Sequence, residues 1–180
     1  MGRYIAKKMA DGNAETEAEA VEELAAAPGT TVLVLGFGPG VGVALLAARG
    51  IDVVGVDPSA VMVEEARRRA PTARLLRATA DRLDLADASV DGAIAVNSIQ
   101  LWKPFEASVA EVARVLRPGA RLVTYTHDWA IKMSTRREAD DWVAHAAAVC
   151  AERGLVDARS WRAQAEDGRS VAFCATRAAC

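Results

Sequence analysis

Residues 32–42 read VLVLGFGPGVG, an apolar run that breaks into a glycine at every second position from Gly36 to Gly42. The run before the glycines is apolar on both faces, which is typical of a strand buried inside a parallel sheet. Glycines after such a strand let a ligand approach the backbone closely. The stretch therefore predicts a ligand-binding loop, and the next question is which ligand it takes.

Two nucleotide-binding patterns fail on this loop. The dinucleotide fingerprint G-x-G-x-x-G needs a small residue at its last position, and the two registers place Val41 or Val43 there. The phosphate-binding loop that ends in Gly-Lys-Ser/Thr needs a lysine, which this loop does not contain. Pro39 also removes one backbone donor. The loop is thus predicted to admit a ligand without cradling a pyrophosphate.

Predicted strands and helices alternate along the rest of the chain. Five apolar runs are predicted as strands, at 30–36, 51–57, 73–78, 89–97 and 120–126. Helical patterns separate them, and further helices are predicted at 14–27 and 136–154. This order predicts a mostly parallel sheet covered by helices on both faces. Two last strands, at 154–164 and 169–177, are predicted to form an antiparallel hairpin around Asp167-Gly168.

The composition limits the kinds of partner. A chain of 180 residues can form one domain with a full core, and its net charge of −2 argues against a nucleic-acid-binding surface. No apolar run is long enough to span a bilayer, and no signal-peptide core follows the first residue. Three widely spaced cysteines and two histidines predict neither a disulfide framework nor a metal site. These features predict a cytoplasmic α/β domain over residues 1–180, without a nucleic-acid or membrane partner.

Asp57 follows Gly36 by 21 residues and ends the second predicted strand. A carboxylate at that point can accept hydrogen bonds from both hydroxyl groups of a ribose. The alternative is a helix N-cap, because Asp57 precedes Pro58, a residue that suits the first turn of a helix. The spacing of the glycine loop and the acid favours the ribose role.

Four segments stand together in one order: VLVLGFGPGVG, VVGVDPSAVMVEEAR, ATADRLDLADASVDGAIAVNSIQLW and EVARVLRPGARLV. In order and spacing they resemble the class I S-adenosylmethionine-dependent methyltransferases, and most closely the small-molecule branch related to ubiquinone/menaquinone methyltransferases. The resemblance covers residues 20–126. It implies a Rossmann-like, doubly wound sheet of seven strands, S-adenosyl-L-methionine as the cofactor, and methyl transfer to a small-molecule acceptor.

The resemblance also implies a set of cofactor contacts where strands end. The glycine loop would pass under the methionine part, Asp57 would hold the ribose, residues 79–81 would bracket the adenine, and Asn97 would face the amino end through its carbonyl. The implied contacts are Gly36, Phe37, Gly38, Gly40, Asp57, Pro58, Thr79, Ala80, Asp81 and Asn97.

Three features depart from the family pattern, and one of them is Leu85-Ala86 in place of a common Pro-Phe pair. Members often carry an acid two residues before the first glycine, where it helps to bind the cationic amino group, and this chain has Val34. The acid on the adenine side is replaced by Thr79, although Asp81 is near enough to substitute. These departures raise the question of what binds the amino group, and residues 79–81 are the first place suggested by the sequence.

Residues after the fourth and fifth strands are candidates for the acceptor side. Trp102 and Trp129 are predicted to lie in loops and line an acceptor pocket, whereas Phe105 and Tyr125 are predicted to be core residues. His127 ends the fifth strand and is the candidate general base for an acceptor that holds its proton tightly. A histidine at a strand end that simply bonds a neighbouring loop is the other interpretation, and it is the favoured one.

Residues 1–27 are the segment available as a lid, because no long insertion follows the fifth strand. A short lid fits an open pocket, a large substrate, or closure by a second subunit in a homodimer.

Three other functions stay open, one of which is a methyltransferase fold turned to another reaction. A nicotinamide-dependent oxidoreductase would share the sheet and Asp57, but the chain lacks its glycine fingerprint and a Tyr-x-x-x-Lys pair. A non-catalytic, methyltransferase-like partner protein would explain Val34 and Thr79. A nucleic-acid methyltransferase is disfavoured by the charge and by NSIQ at 97–100, where an (Asp/Asn)-Pro-Pro-(Tyr/Phe) motif would stand.

Overall fold

The computed structural model describes the backbone of residues 2–179 and the side chains of residues 9–165 and 167–179. Within that part the chain forms seven strands: β1 (Thr31–Leu35), β2 (Asp52–Asp57), β3 (Arg74–Arg77), β4 (Val90–Val96), β5 (Leu116–His127), β6 (Leu155–Arg162) and β7 (Ser170–Arg177). It also forms six α-helices: α1 (Gly2–Leu24), α2 (Val41–Ala48), α3 (Ala60–Arg69), α4 (Phe105–Val115), α5 (Asp128–Thr135) and α6 (Ala139–Glu152). Single 3-10 turns cover Ile99–Leu101 and Ala165–Gly168.

The seven strands form one sheet in the order β3-β2-β1-β4-β5-β7-β6. The strands from β3 to β5 are parallel, and β7 runs antiparallel to both of its neighbours. The predicted doubly wound, mostly parallel sheet with a terminal hairpin is therefore confirmed. The strand order reverses between β1 and β4, and in open α/β sheets ligands bind beside such a reversal, at the carboxyl ends of the strands.

Hydrophobic side chains cover both faces of the sheet. Val32 and Val34 of β1 pack with α1, α2 and α3, whereas Leu33 and Leu35 pack with α4 and α6 on the opposite face. Burial on both faces explains why β1 is a continuous apolar run rather than an alternating one. The sheet is thus a rigid support whose carboxyl-terminal edge carries the polar residues discussed below.

Two helices differ from the predicted bounds. The helix predicted at 14–27 runs from Gly2 to Leu24, the one predicted at 136–154 runs from Ala139 to Glu152, and the preceding helix α5 was not predicted. Helix α5 ends at Arg136, which caps it in the left-handed conformation with φ of 59°. An eight-residue helix such as α5 has little intrinsic stability and forms here because it packs against α6 and the first 3-10 turn.

The structure also describes two of the three cysteines and the lengths of the helices. Cys150 and Cys174 are buried free thiols, and Cys180 lies outside the described residues. Across residues 2–179, no helix combines the length and apolarity that crossing a bilayer requires.

Candidate functional site

A cavity of about 460 Å³ lies at the carboxyl ends of β1 to β4, beside the point where the strand order reverses. Its walls are the glycine loop after β1, the turn after β2, residues 78–81 after β3 and residues 96–98 after β4. Residues of α1 close the other side. The volume is in the range of roughly 300–1,000 Å³ that small-molecule and cofactor sites occupy.

The glycine loop packs so tightly that two of its glycines cannot be replaced without strain. Gly36 has φ of +64°, and a Cβ there would overlap the Cβ of Ser98 on the neighbouring strand end. Gly40 has φ of +84°, and its Cβ would lie 2.6 Å from the Cβ of Ala66 in α3. Gly36 and Gly38 line the cavity, whereas Gly40 faces α3 and does not. Gly40, which was predicted from the sequence to contact the cofactor, thus packs against α3 and does not border the cavity.

Asp57 ties this loop to the next strand. Its Oδ2 accepts a hydrogen bond from the Gly38 N–H at 2.9 Å, and its Oδ1 accepts one from the Ser59 N–H at 2.8 Å. Burial raises the pKa of Asp57 above its ordinary value, and the two N–H donors oppose that shift. The N-cap of α3 is Ser59, whose hydroxyl accepts from the Met62 N–H, so Asp57 is not the cap. Its carboxylate lines the cavity with acceptor capacity left over.

The strand ends on either side supply further polar lining. Thr79, Ala80 and Asp81 line the cavity after β3, and Pro58 lines it after β2. Asn97 lines it after β4 in the left-handed conformation, with φ of 50°. Residues predicted on four different strands therefore meet around one volume.

The side chain of Asn97 is engaged by its neighbours. Its Oδ1 accepts from the His127 N–H at 2.9 Å, and its Nδ2 donates to Asn13 Oδ1 at 3.1 Å. Its backbone carbonyl accepts from Gln100 Nε2 at 3.1 Å. These bonds fix the loop after β4 against α1, so Asn97 presents a defined surface to the cavity.

Four predicted site residues lie outside the lining. Phe37 and Gly40 pack against the core and α3, while His127 and Trp129 sit where β5 runs into α5. His127 is buried with Nδ1 2.6 Å from Ser170 Oγ and Nε2 3.4 Å from Asn13 Oδ1, and Trp129 stacks over it. Both imidazole nitrogens thus have neighbours within hydrogen-bond distance, which fits a structural histidine better than a base that meets an acceptor.

The aromatic residues singled out in the sequence lie in different environments. Trp102 lines the cavity while its side chain is mostly buried in the core, and Trp129 is 62 % exposed. Tyr125 is buried, and Phe105 packs partly buried against the core.

Among the cavity residues that the sequence reasoning missed are three on α1: Met9, Asn13 and Glu17. Glu17 is only 6 % exposed, and burial raises its pKa to about 8. A signal for it existed, because Glu17 shares a helical stripe with Val21 and Leu24, and an acid on an apolar stripe is unusual.

Contacts at its carboxyl end hold α1 against the sheet. Arg121 of β5 donates to Glu23 Oε1 at 3.0 Å and to the Leu24 carbonyl at 2.8 Å. The Glu19 carboxylate accepts from the backbone N–H groups of Gln164 and Ala165. The wall that α1 contributes is therefore positioned by contacts outside the cavity.

Comparison with known proteins identifies the family. Residues 33–124 match the family described as a methyltransferase domain. A demethylmenaquinone methyltransferase of Beutenbergia cavernae is 41 % identical over 103 residues, which are 57 % of this chain and 43 % of that protein. An uncharacterized methyltransferase of Mycobacterium tuberculosis is 39 % identical over 125 residues, 69 % of this chain and 48 % of its own length. The chain thus spans about half the length of these two relatives.

A solved structure extends the comparison to the whole fold. The methyltransferase in a complex with the Trm112 methyltransferase activator of Haloferax volcanii superposes with a TM-score of 0.80, covering 97 % of this chain and 94 % of its own. At 21 % identity that likeness concerns the fold alone. Together with the family match over residues 33–124, it leads to one conclusion: the chain belongs to the class I S-adenosylmethionine-dependent methyltransferases.

Proposed function

We propose that the chain binds S-adenosyl-L-methionine in this cavity and transfers its methyl group to a small-molecule acceptor. The main support for this proposal is the contact between Asp57 and the glycine loop. The carboxylate at the end of β2 accepts a hydrogen bond from the Gly38 N–H and borders the cavity. One group thus organises the loop and keeps acceptor capacity for ribose hydroxyls.

The lining fits the chemistry of this cofactor. The cavity holds two buried carboxylates, Asp57 and Glu17, and a ligand that carries positive charge would offset both. Space is open above Gly38, where a Cβ would meet only Met9 Cε, at 3.6 Å. When bound, the sulfonium supplies an electrophilic methyl group, which an acceptor lone pair takes as the carbon–sulfur bond breaks and a thioether is left. The protein contributes alignment and exclusion of water.

An apolar rim supports a small apolar acceptor. Leu101, Trp129 and Met133 are 58 %, 62 % and 76 % exposed, on a 3-10 turn and a helix that pack against each other. Exposed large apolar side chains grouped next to a cavity are typical of a binding surface. Trp102 and Trp129 remain the predicted contacts of the acceptor. The name of the Beutenbergia relative, a demethylmenaquinone methyltransferase, agrees with an acceptor that has a flat apolar ring.

Replacing Asp57 by asparagine is expected to weaken binding of S-adenosylmethionine and of S-adenosylhomocysteine by about 10- to 100-fold, because a charged acceptor is lost. Isothermal titration calorimetry on the variant and the unchanged protein measures this directly. Asp52→Asn, at the exposed beginning of the same strand, is the matched control and should leave both affinities unchanged. Equal affinities for Asp57→Asn and the unchanged protein would remove Asp57 from the site.

The same titration separates the alternatives. Binding of NADH in preference to S-adenosylmethionine would favour an oxidoreductase. Binding of neither cofactor would favour a non-catalytic partner protein. Binding of S-adenosylmethionine, followed by transfer of a labelled methyl group to one member of a panel of phenols, carboxylates and amines, would establish the reaction and the class of acceptor.

A further inference from the structure

Glu17 is a deeply buried acid at the wall of the cavity. It comes from α1, and the Gly42 N–H at the start of α2 donates to its carboxylate. A Cβ built at position 42 would overlap Glu17 Oε2. A glycine at this point of α2 is therefore what allows the carboxylate to lie there.

The charge of this carboxylate lacks a cationic partner within the part of the chain whose side chains are described. Among the described side chains, no lysine, arginine or histidine nitrogen lies within 4.0 Å of its oxygens. A buried carboxylate with only a backbone N–H as partner is costly. Burial accordingly raises the pKa of Glu17 to about 8. Since the group borders the cavity, a cation that enters the cavity would supply the missing charge.

The position of Glu17 selects which part of the cofactor meets it. Asp57 ends β2, on one side of β1, whereas Gly42 below Glu17 lies beside Ile94 of β4, on the other side of β1. A ligand whose ribose is held at Asp57 therefore extends its other end across the glycine loop toward Glu17. Val34 of β1 pairs with Ile94 in the same face, so Glu17 reaches over the place where the family often carries an acid.

We propose that Glu17 binds the ammonium group of the methionine part of S-adenosylmethionine. This inference rests on the proposed function. The carboxylate comes from α1, outside the segment that resembles the family most closely. It would supply the negative charge that is missing at Val34, where family members often carry an acid. It also replaces the stretch 79–81 as the location of that anchor, since those residues line the opposite, β3 side of the cavity.

The test compares three ligands on Glu17→Gln. S-adenosylmethionine and S-adenosylhomocysteine both carry the ammonium, whereas methylthioadenosine keeps the adenosine and the thioether but lacks the amino acid. Glu17→Gln is expected to lower the affinity for the first two ligands by a similar factor, about 10- to 100-fold. The affinity for methylthioadenosine should stay within about twofold of that of the unchanged protein. A loss confined to S-adenosylmethionine would overturn the proposal, because it would mean that Glu17 faces the sulfonium instead.

Two controls keep the result interpretable. Glu22→Gln makes the same change on an exposed residue of the same helix, bonded to Arg49, and should leave all three affinities unchanged. Circular dichroism establishes that each variant is folded at the temperature of the titration. Equal weakening of all three ligands by Glu17→Gln would mean that the residue only positions α1, and no weakening would remove it from the site. If the unchanged protein binds neither charged ligand, the proposed function itself fails.

Proton release gives an independent readout. At pH 6.5 the Glu17 carboxyl is mostly protonated, and the free α-amino group of the ligand is also protonated, since such groups have pKa values of about 7.7–8.0. Binding should then release close to one proton, measured by calorimetry in buffers of different ionisation enthalpy. Glu17→Gln should abolish the release. Equal release by the two proteins would contradict a direct contact between Glu17 and the ammonium.

Discussion

Glu17→Gln is expected to make the free protein more stable at pH 8, by up to about 4 kcal/mol, while weakening its binding of the cofactor. Glutamine keeps an acceptor for the Gly42 N–H but carries no charge that must be buried. The free energy that the folded protein spends on this carboxylate is thus recovered in the variant.

The sign follows from proton binding. The pKa of Glu17 is raised from 4.5 to about 8 in the folded state, so between these values the folded protein holds a proton that the unfolded chain has lost. Stability contributed by the protonated carboxyl is full below about pH 4.5 and falls as the pH rises through 8. Asp57, the other buried acid of the cavity, acts in the same direction because its pKa is also raised. Asp91 and Glu111 have lowered pKa values and lose their contribution only at acidic pH.

Urea unfolding at pH 5, 6.5 and 8 measures this effect. The free energy of unfolding of the unchanged protein should fall across the range, and that of Glu17→Gln should fall much less. Glu22→Gln, on the exposed face of α1, should follow the unchanged protein. A flat profile for the unchanged protein would contradict the uncompensated burial of Glu17.

Phe37→Ala is expected to destabilise the protein by about 3–5 kcal/mol, because its ring is a core group. Phe37 is 2 % exposed, and its ring lies against the backbone of Gly55 in β2, where a Cβ would approach Phe37 Cδ1 to 2.7 Å. The loss is the transfer free energy of the ring plus the cavity left between α3 and the sheet. Chemical denaturation gives the difference in the free energy of unfolding.

Phe37→Leu separates a core role from contact with the cofactor. It should cost less stability than the alanine variant and leave the affinity for S-adenosylhomocysteine within about twofold at a temperature where the protein is folded. The opposite pattern, unchanged stability with a tenfold loss of affinity, would return Phe37 to the cofactor contacts predicted from the sequence.

The sheet could be predicted from the sequence because its strands and turns are marked by residues that are neighbours in the chain. The strand at 30–36 is apolar on both faces, and Asp167-Gly168 has positive φ values of 56° and 74° in the connection between β6 and β7. The short α5 carried no comparable signal, since its packing partners are distant in the chain. The spacing of Gly36, Gly38 and Asp57 likewise predicted three groups that now border one cavity.

Which way a side chain points was harder to predict. Phe37 and Gly40 belong to the same loop as Gly38, yet they turn toward the core and α3. Glu17 lies 40 positions before Asp57 and reaches the cavity only because α1 folds back across the sheet. Contacts of that kind depend on tertiary structure, and one acid on an apolar helical stripe was their sole trace in the sequence.

Because α1 forms one wall of the cavity, any undocking of that helix would lower the affinity for a ligand that contacts it. A ligand that needs Glu17 binds only the docked fraction, and its apparent dissociation constant rises as that fraction falls. Arg121 and Glu19 hold the far end of α1 without lining the cavity, so we expect substitutions there to change ligand affinity from a distance. Substitutions at those two residues would change the apparent dissociation constant of the cofactor. They would do so without altering any group that lines the cavity.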